Sequence, residues 1–338
     1  MPDLRIVLAG SVGSSRRTLM GLLRHKASVV GVLGLSVERA AGVSGYCRLD
    51  DIAQEAGCDY REFVQLNDPE IVSVVEAWSP DLFFVVGLSQ LVKSPLLSAA
   101  RLGCVGFHPT MLPAGRGRAP VSWLTLDGDG VGAATFFLLN EEADAGAILA
   151  QEPFAITSKD YAGDVMGKLE EAIDRALDRW LPKLLAGEWN PQYQDERLAT
   201  YNGRRAPEDG LIDWNSSACR IESLVRASAH PHPGAYTYVK DNRMIVWRAE
   251  IETDMSFRGV TGRILLIDAG GRALVQTGNG LLWLSEVEFV ADSPHAPKPA
   301  LRVGMKLGYT SEDEIYALKA RITALEEHLS QNLAGRSS

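Results

Sequence analysis

The chain has 338 residues, 46% hydrophobic and 23% charged, with a formal net charge of −9. This is an ordinary globular composition with room for two domains, or for one large domain with additions. Nucleic-acid binding needs clustered Lys and Arg, so the negative balance argues against a large polyanion as partner, whereas a small anionic substrate needs only one or two local arginines.

The first elements alternate strand and helix. Arg5 to Ala9 is an apolar run ended by Gly10, the next stretch carries Leu19, Leu22 and Leu23 at helical spacing, and SVVGVLGL is strand-like. The loop from Gly10 to Ser15 lacks the G-x-G-x-x-G spacing and reads as a tight turn before a helix rather than a dinucleotide cradle. Asp51 to Gly57 and Pro69 to Trp78 read as helices, the second capped near Asn67-Asp68 and ended before Pro80. Asp81-LFFVVG suits a buried parallel strand. Alternation to about residue 105 predicts a doubly wound α/β domain with functional groups at strand C-termini.

Further on, ATFFLL from Ala133 is a strand leading towards Asp144, and Tyr161 to Leu185 is a long amphipathic helix with Val165, Leu169, Ile173, Leu177 and Leu181 on one stripe. Gly187 to Tyr201 is polar and reads as a linker. Cys219 to Ser228 is helical, and the later turn-separated apolar runs predict a small β-barrel domain. In the tail a Ser311/Glu314 capping box precedes Ile315, Leu318, Ile322, Leu325 and Leu329, spaced in steps of three and four. Such a helix either pairs in a homodimer or lies back on its own domain.

The four cysteines are scattered without a CxxC pair, which argues against a zinc ribbon or a disulfide framework and for small buried hydrophobes in a reducing compartment. No metal site is expected. No stretch reaches about 18 uninterrupted apolar residues, so no membrane span is predicted. The start, a strand-like RIVLAG without a charged n-region, leads us to expect a cytoplasmic protein.

The densest chemistry lies in GFHPTMLPAGRGRAPVSW, Gly106 to Trp123, followed by Asp144 in Asp-Ala-Gly. His108 can act as base or donor near neutral pH, and a carboxylate at Asp144 can orient or charge-stabilise an imidazolium. Spacing alone does not bring the two together. Arg116 and Arg118 either contact an anionic substrate or are solvated, and Trp123 is either core or a stacking platform.

HPTMLPAGRGRAPVSW, EEADAGAILAQ, NGRRAPEDGLIDW, ASAHPHPGAYTY, GLLWLSEVEF and LRVGMKLG, in that order, resemble the folate-dependent formyltransferase family, which includes methionyl-tRNA formyltransferase and sugar N-formyltransferases. The resemblance covers roughly residues 4 to 310. It implies a Rossmann-like N-terminal domain over residues 1–188, a linker over 189–204, an OB-like domain over 205–310 and a C-terminal helix over 311–338. It also implies 10-formyltetrahydrofolate as co-substrate, with Gly87, Leu88 and Gln90 offering backbone groups to the pterin.

The family's Asn, His, Asp constellation falls on Gly106, His108 and Asp144, so the asparagine that donates to the formyl oxygen is absent. Loss of one such donor typically costs on the order of 10²–10³ in rate. Three accounts stand. A backbone N–H, a protonated His108 or a water takes over; the glycine opens space for a bulkier acceptor; or transfer is weak. The region LSVERAAGVSGYCRLDD has only Arg39 and Arg48 as cations, which disfavours tRNA. The expected acceptor is the amine of a nucleotide-linked sugar, its diphosphate on Arg116 or on Arg204 and Arg205, and its base on Trp123. Formyltetrahydrofolate hydrolysis, transfer to a hydroxylamine and binding without turnover are the alternatives.

Overall fold

The computed structural model describes residues 4–240, 242–290, 300–309 and 311–334. Its elements in chain order are β1 (Arg5–Gly10), α1 (Gly13–Arg24), β2 (Ser28–Leu35), α2 (Asp50–Glu55), β3 (Asp59–Phe63), α3 (Pro69–Trp78), β4 (Leu82–Val86), α4 (Ser94–Leu97) and β5 (Gly103–Thr110). There follow β6 (Arg116–Gly117), α5 (Pro120–Asp127), β7 (Gly130–Leu138), β8 (Ile148–Ile156), α6 (Ala162–Leu185), β9 (Tyr201–Asn202) and α7 (Ala218–Ser228). The rest are β10 (Ala235–Val239), β11 (Asn242–Glu252), β12 (Ile264–Ile267), β13 (Ala273–Gln276), β14 (Leu281–Phe289) and α8 (Ser311–Ala334). The chain divides into two compact units, one of residues up to Asp209 together with Arg226–Gly234, the other of Gly210–Val225 and residues from Ala235 onward.

The first unit is built on a seven-stranded sheet in the order β3-β2-β1-β4-β5-β7-β8. β3 to β5 are parallel, while β7 runs antiparallel to β5 and β8 antiparallel to β7. This is a doubly wound, Rossmann-like arrangement whose strand order reverses between β1 and β4, the place where such sheets open a crevice. β4 is buried along its length, as its continuous apolar run requires, since helices cover both faces. On one face Phe84 and Phe136 pack on Trp180 of α6, at centroid distances of 6.0 and 5.8 Å. The predicted stripe of α6 is the buried one, Val165 through Leu181. On the other face Ile71 and Val75 of α3 pack with Phe83 and Leu96.

The second unit carries a five-stranded antiparallel sheet in the order β10-β11-β14-β13-β12, the small β domain read from the turn-separated runs. Trp214 anchors its start, donating from Nε1 to Thr237 Oγ1 at 2.9 Å. α8 forms where the three-four periodicity predicts a helix. The Ser311 and Glu314 side chains expected to cap it lie outside the described residues.

Candidate active site

Side chains alternate along a strand, so Gly106, His108 and Thr110 of β5 share one face. His108 is 5% exposed. Its Nε2 lies 2.8 Å from the Gly115 carbonyl oxygen. A carbonyl only accepts, so Nε2 carries the hydrogen. Nδ1 faces Asp144 Oδ2 at 3.6 Å, beyond hydrogen-bond range but within reach of an ion pair. A neutral ring so held has Nδ1 as its one basic nitrogen. A proton taken there makes a cation already facing a carboxylate.

Asp144 reaches this place from the loop between β7 and β8. Its backbone is left-handed, at φ +56, a conformation that Asp adopts more readily than most residues. Its Oδ2 accepts from the Gly117 N–H at 2.8 Å. Two residues on, any Cβ at Gly146 would strike the Leu138 carbonyl, which explains the glycine of Asp-Ala-Gly. Gln194 fixes the loop from behind, with Nε2 donating to the carbonyls of Asp144 at 2.8 Å and Gly146 at 2.7 Å.

Gln194 is itself held by Arg116, whose Nη2 donates to Gln194 Oε1 at 2.8 Å. The Arg116 guanidinium also makes a two-pronged pair with Glu196, at 2.7 and 2.8 Å, and donates to the Tyr201 hydroxyl at 3.0 Å. Arg116 is fully buried. The expectation that it meets a substrate diphosphate is therefore corrected: every face of its fork is used internally. The hydrogen bond from Arg116 also holds the Glu196 carboxyl below its usual range. The segment read as a linker, residues 189–204, is tied to the strand that carries Arg116. β9 pairs with β6, and Arg116 N–H donates to the Thr200 carbonyl at 2.9 Å. Spacing gave no sign of Gln194; a buried arginine and its polar partners look solvated in sequence.

Gly106 lies opposite Phe137 of β7. A Cβ built on it would meet Leu139 Cδ2 at 2.5 Å and Phe137 Cζ at 2.9 Å. In this structure the ends of two apolar side chains, Leu139 and Phe137, stand where a side chain at 106 would begin, so the glycine leaves no empty space there.

A cavity of about 420 Å³ opens at the strand-order reversal, lined by Ser11, Leu35, Arg39, Gly87, Leu88 and Gln90 among others. The Gln90 side chain is anchored to the neighbouring turn, accepting from Leu66 N–H at 2.7 Å and donating to the Val64 carbonyl at 3.0 Å. The turn after β1 is closed on itself. Ser15 Oγ accepts from the N–H groups of Ser11 and Val12 at 3.0 and 3.2 Å, which leaves neither for a phosphate. Arg48 is paired with Asp50 and Glu62, and Arg39 is exposed at the cavity.

Trp123 is half-buried; its Nε1 donates to the Gly203 carbonyl at 2.8 Å, and the Arg205 guanidinium lies 5.4 Å from its ring centroid. Arg204 and Arg118 are exposed. Beside Trp123, Ser122 Oγ lies 3.1 Å from His232 Nε2. Burial pushes the His232 imidazole below its usual range, and the Arg205 charge adds to this, which favours the neutral ring beside Ser122. The His-Pro-His-Pro-Gly run was the one sequence signal for it. Cys47 and Cys58 are half-buried and Cys104 is buried, its thiol pushed up to about 12 by burial, but Cys219 is exposed, against expectation. Among the described residues no group of three His, Cys, Asp or Glu is arranged to hold a metal ion, and no helix is long and apolar enough to cross a membrane.

A family model described as formyl transferase matches residues 6–181, and one described as the formyl transferase C-terminal domain matches residues 205–298. Among solved structures, HypX from Aquifex aeolicus in complex with tetrahydrofolic acid is 18% identical over 84% of this chain, with a TM-score of 0.62. This chain spans 44% of that one. An N-formyltransferase from Helicobacter canadensis, in complex with folinic acid and dTDP-3-aminofucose, is 14% identical with a TM-score of 0.60, covering 83% of this chain and 98% of its own. Methionyl-tRNA formyltransferase from Clostridium thermocellum is 18% identical with a TM-score of 0.52, covering 75% and 95%. At these identities the likeness is one of fold.

Proposed function

The chain belongs to the formyl transferase family, and on that footing we propose that it moves the formyl group of 10-formyltetrahydrofolate to the amine of a nucleotide-linked amino sugar. The observation that carries this reading is the His108 ring, with Nε2 tied to Gly115 and Nδ1 beside Asp144. The cavity at the strand-order reversal has the size and mixed lining that suit a ring-bearing small molecule. Backbone groups of Gly87, Leu88 and Gln90 hold the folate there, and when bound it supplies the formyl group on N10.

The chain's own residues have two tasks, to take a proton from the attacking nitrogen and to balance charge on the carbonyl oxygen. His108 Nδ1 takes the proton and returns it to N10 as the formyl carbon–N10 bond breaks, so that tetrahydrofolate leaves with N10 neutral and the ring is regenerated. Asp144, at 3.6 Å, balances the resulting imidazolium. With no amide at position 106, the charge of the imidazolium, rather than a free N–H, offsets the charge on the carbonyl oxygen. The Gly115 carbonyl keeps the ring from turning while it changes charge.

A sugar nucleotide as acceptor is supported by the net charge of −9, by likeness to a sugar-nucleotide-bound N-formyltransferase, and by Arg205 beside Trp123 with the exposed Arg204 preceding it in the chain. The test is incubation with 10-formyltetrahydrofolate and a panel of amino-sugar nucleotides, following tetrahydrofolate and formate separately. Tetrahydrofolate released only when an amino sugar is present, and lost in His108→Asn with folate binding retained, is the expected result. Formate release without amine, or wild-type turnover in His108→Asn, overturns the reading.

A further inference from the structure

The apolar residues of α8 stand in solvent. Ile315, Leu318, Ile322, Leu325 and Leu329 are 52, 51, 54, 61 and 60% exposed. A helix lying back on its own domain would bury them. Alternating steps of three and four place all five on one stripe of the heptad, with Ile315, Ile322 and Leu329 at a and Leu318 and Leu325 at d. Isoleucine at a with leucine at d is the choice that packs two parallel strands.

The flanking charges are complementary to those of a second copy of the same helix. Lys319 and Glu326 fall at e, Arg321 and His328 at g. In a parallel, in-register pair each g residue faces the e residue five positions on in the other helix, so Arg321 of one chain faces Glu326 of the second, twice by symmetry. An antiparallel pair sets Lys319 against Glu326 across the e positions, so the charges suit a second copy in either orientation, and the parallel one is taken from the isoleucines at a and leucines at d. A membrane surface suits the helix less well, because Lys319 and Arg321 are matched by Glu326 and Glu327 and no basic face results.

We propose that α8 joins two copies of this chain as a parallel two-stranded coiled coil. The stripe covers little more than two heptads, so association depends on protein concentration. Light scattering on the full chain at rising concentration should give a mass approaching twice the 36.7 kDa of one chain. Leu318→Glu with Leu325→Glu should hold the mass at one chain with an unchanged thermal melt. Arg321→Glu should weaken the pair, and Arg321→Glu with Glu326→Arg should restore it.

Orientation is read from Ile315→Cys in a Cys219→Ser background, which removes the exposed native thiol. Mild oxidation should then join two chains. A single-chain mass at every concentration overturns the proposal, as does a double mass that survives Leu318→Glu with Leu325→Glu. Failure of Ile315→Cys to cross-link to itself, while it does cross-link to Leu329→Cys, overturns the parallel arrangement.

Discussion

Leu139 occupies the space into which a side chain at Gly106 would grow. Its Cδ2 lies 2.5 Å from the point a Cβ at 106 would take, with Phe137 Cζ at 2.9 Å behind it. The missing amide and the leucine are thus one coupled feature. Restoring an asparagine without moving the leucine forces two side chains into one volume.

Gly106→Asn alone should therefore lower stability by about 1–3 kcal/mol through overpacking. Gly106→Asn with Leu139→Ala should recover much of that loss and, if the proposed chemistry holds, transfer faster than the single variant. The two changes should be strongly non-additive in thermal melts and in rate. Additive effects would mean that Leu139 has an easy alternative rotamer.

Gln194→Leu removes both donors from the Asp144 and Gly146 carbonyls while keeping much of the side-chain volume. Asp144 should then drift from His108. Misplacement of a catalytic group by about 1 Å costs on the order of 10²-fold in rate, so kcat should fall steeply with the KM for folate nearly unchanged. An unaltered kcat, or a loss confined to KM, would remove Gln194 as a positioning residue.

The arginines should separate by readout. Arg116→Ala should lower stability by about 2 kcal/mol, less than a fully buried pair would cost because the Glu196 side chain is 60% exposed. Arg204→Ala with Arg205→Ala should leave the melt nearly unchanged and weaken sugar-nucleotide binding by about tenfold or more, the loss of charge-assisted contacts to phosphate. Calorimetric titration measures the second effect, and an unchanged affinity would withdraw both residues from the acceptor site.

His232 sets a pH dependence of stability. Its folded pKa lies below the ordinary 6.5 because it is buried, with the Arg205 charge adding to this. As pH falls below about 6.5 the unfolded chain binds a proton that the folded chain refuses, so stability is full above that value and declines through the window below it. His232→Gln keeps an acceptor for Ser122 without titrating. The drop in melting temperature between about pH 7.5 and about pH 5.5 should be smaller in the variant, and equal drops would refute the assignment.

Elements with strong local punctuation were legible in the sequence. Pro69 at the first turn and Ser79-Pro80 at the end give α3 the bounds predicted for it. Packing stripes were legible too, as in α6. What spacing could not supply was strand direction: nothing in ATFFLL says that β7 runs against β5, and the β7–β8 loop that this creates is what carries Asp144 to His108. The fate of Arg116 was equally hidden, because Gly-Arg-Gly-Arg reads alike whether the guanidinium is solvated or locked between Gln194 and Glu196. Cys219 was misjudged for a simpler reason, since residue type alone does not say which helix face meets water.

The division of the chain bears on how it is made. The first unit ends at Asp209 and resumes at Arg226–Gly234, and that late return holds Arg226, which donates to the carbonyls of Thr125 and Asp160 at 3.0 Å, and His232 beside Ser122. During synthesis from the N-terminus, these last supports exist only once residue 234 has emerged. A nascent chain halted at 188 would already hold His108 and Asp144, but not the glutamine that sets one against the other. The ribosome thus releases the site's reactive side chains well before it releases what makes them a site.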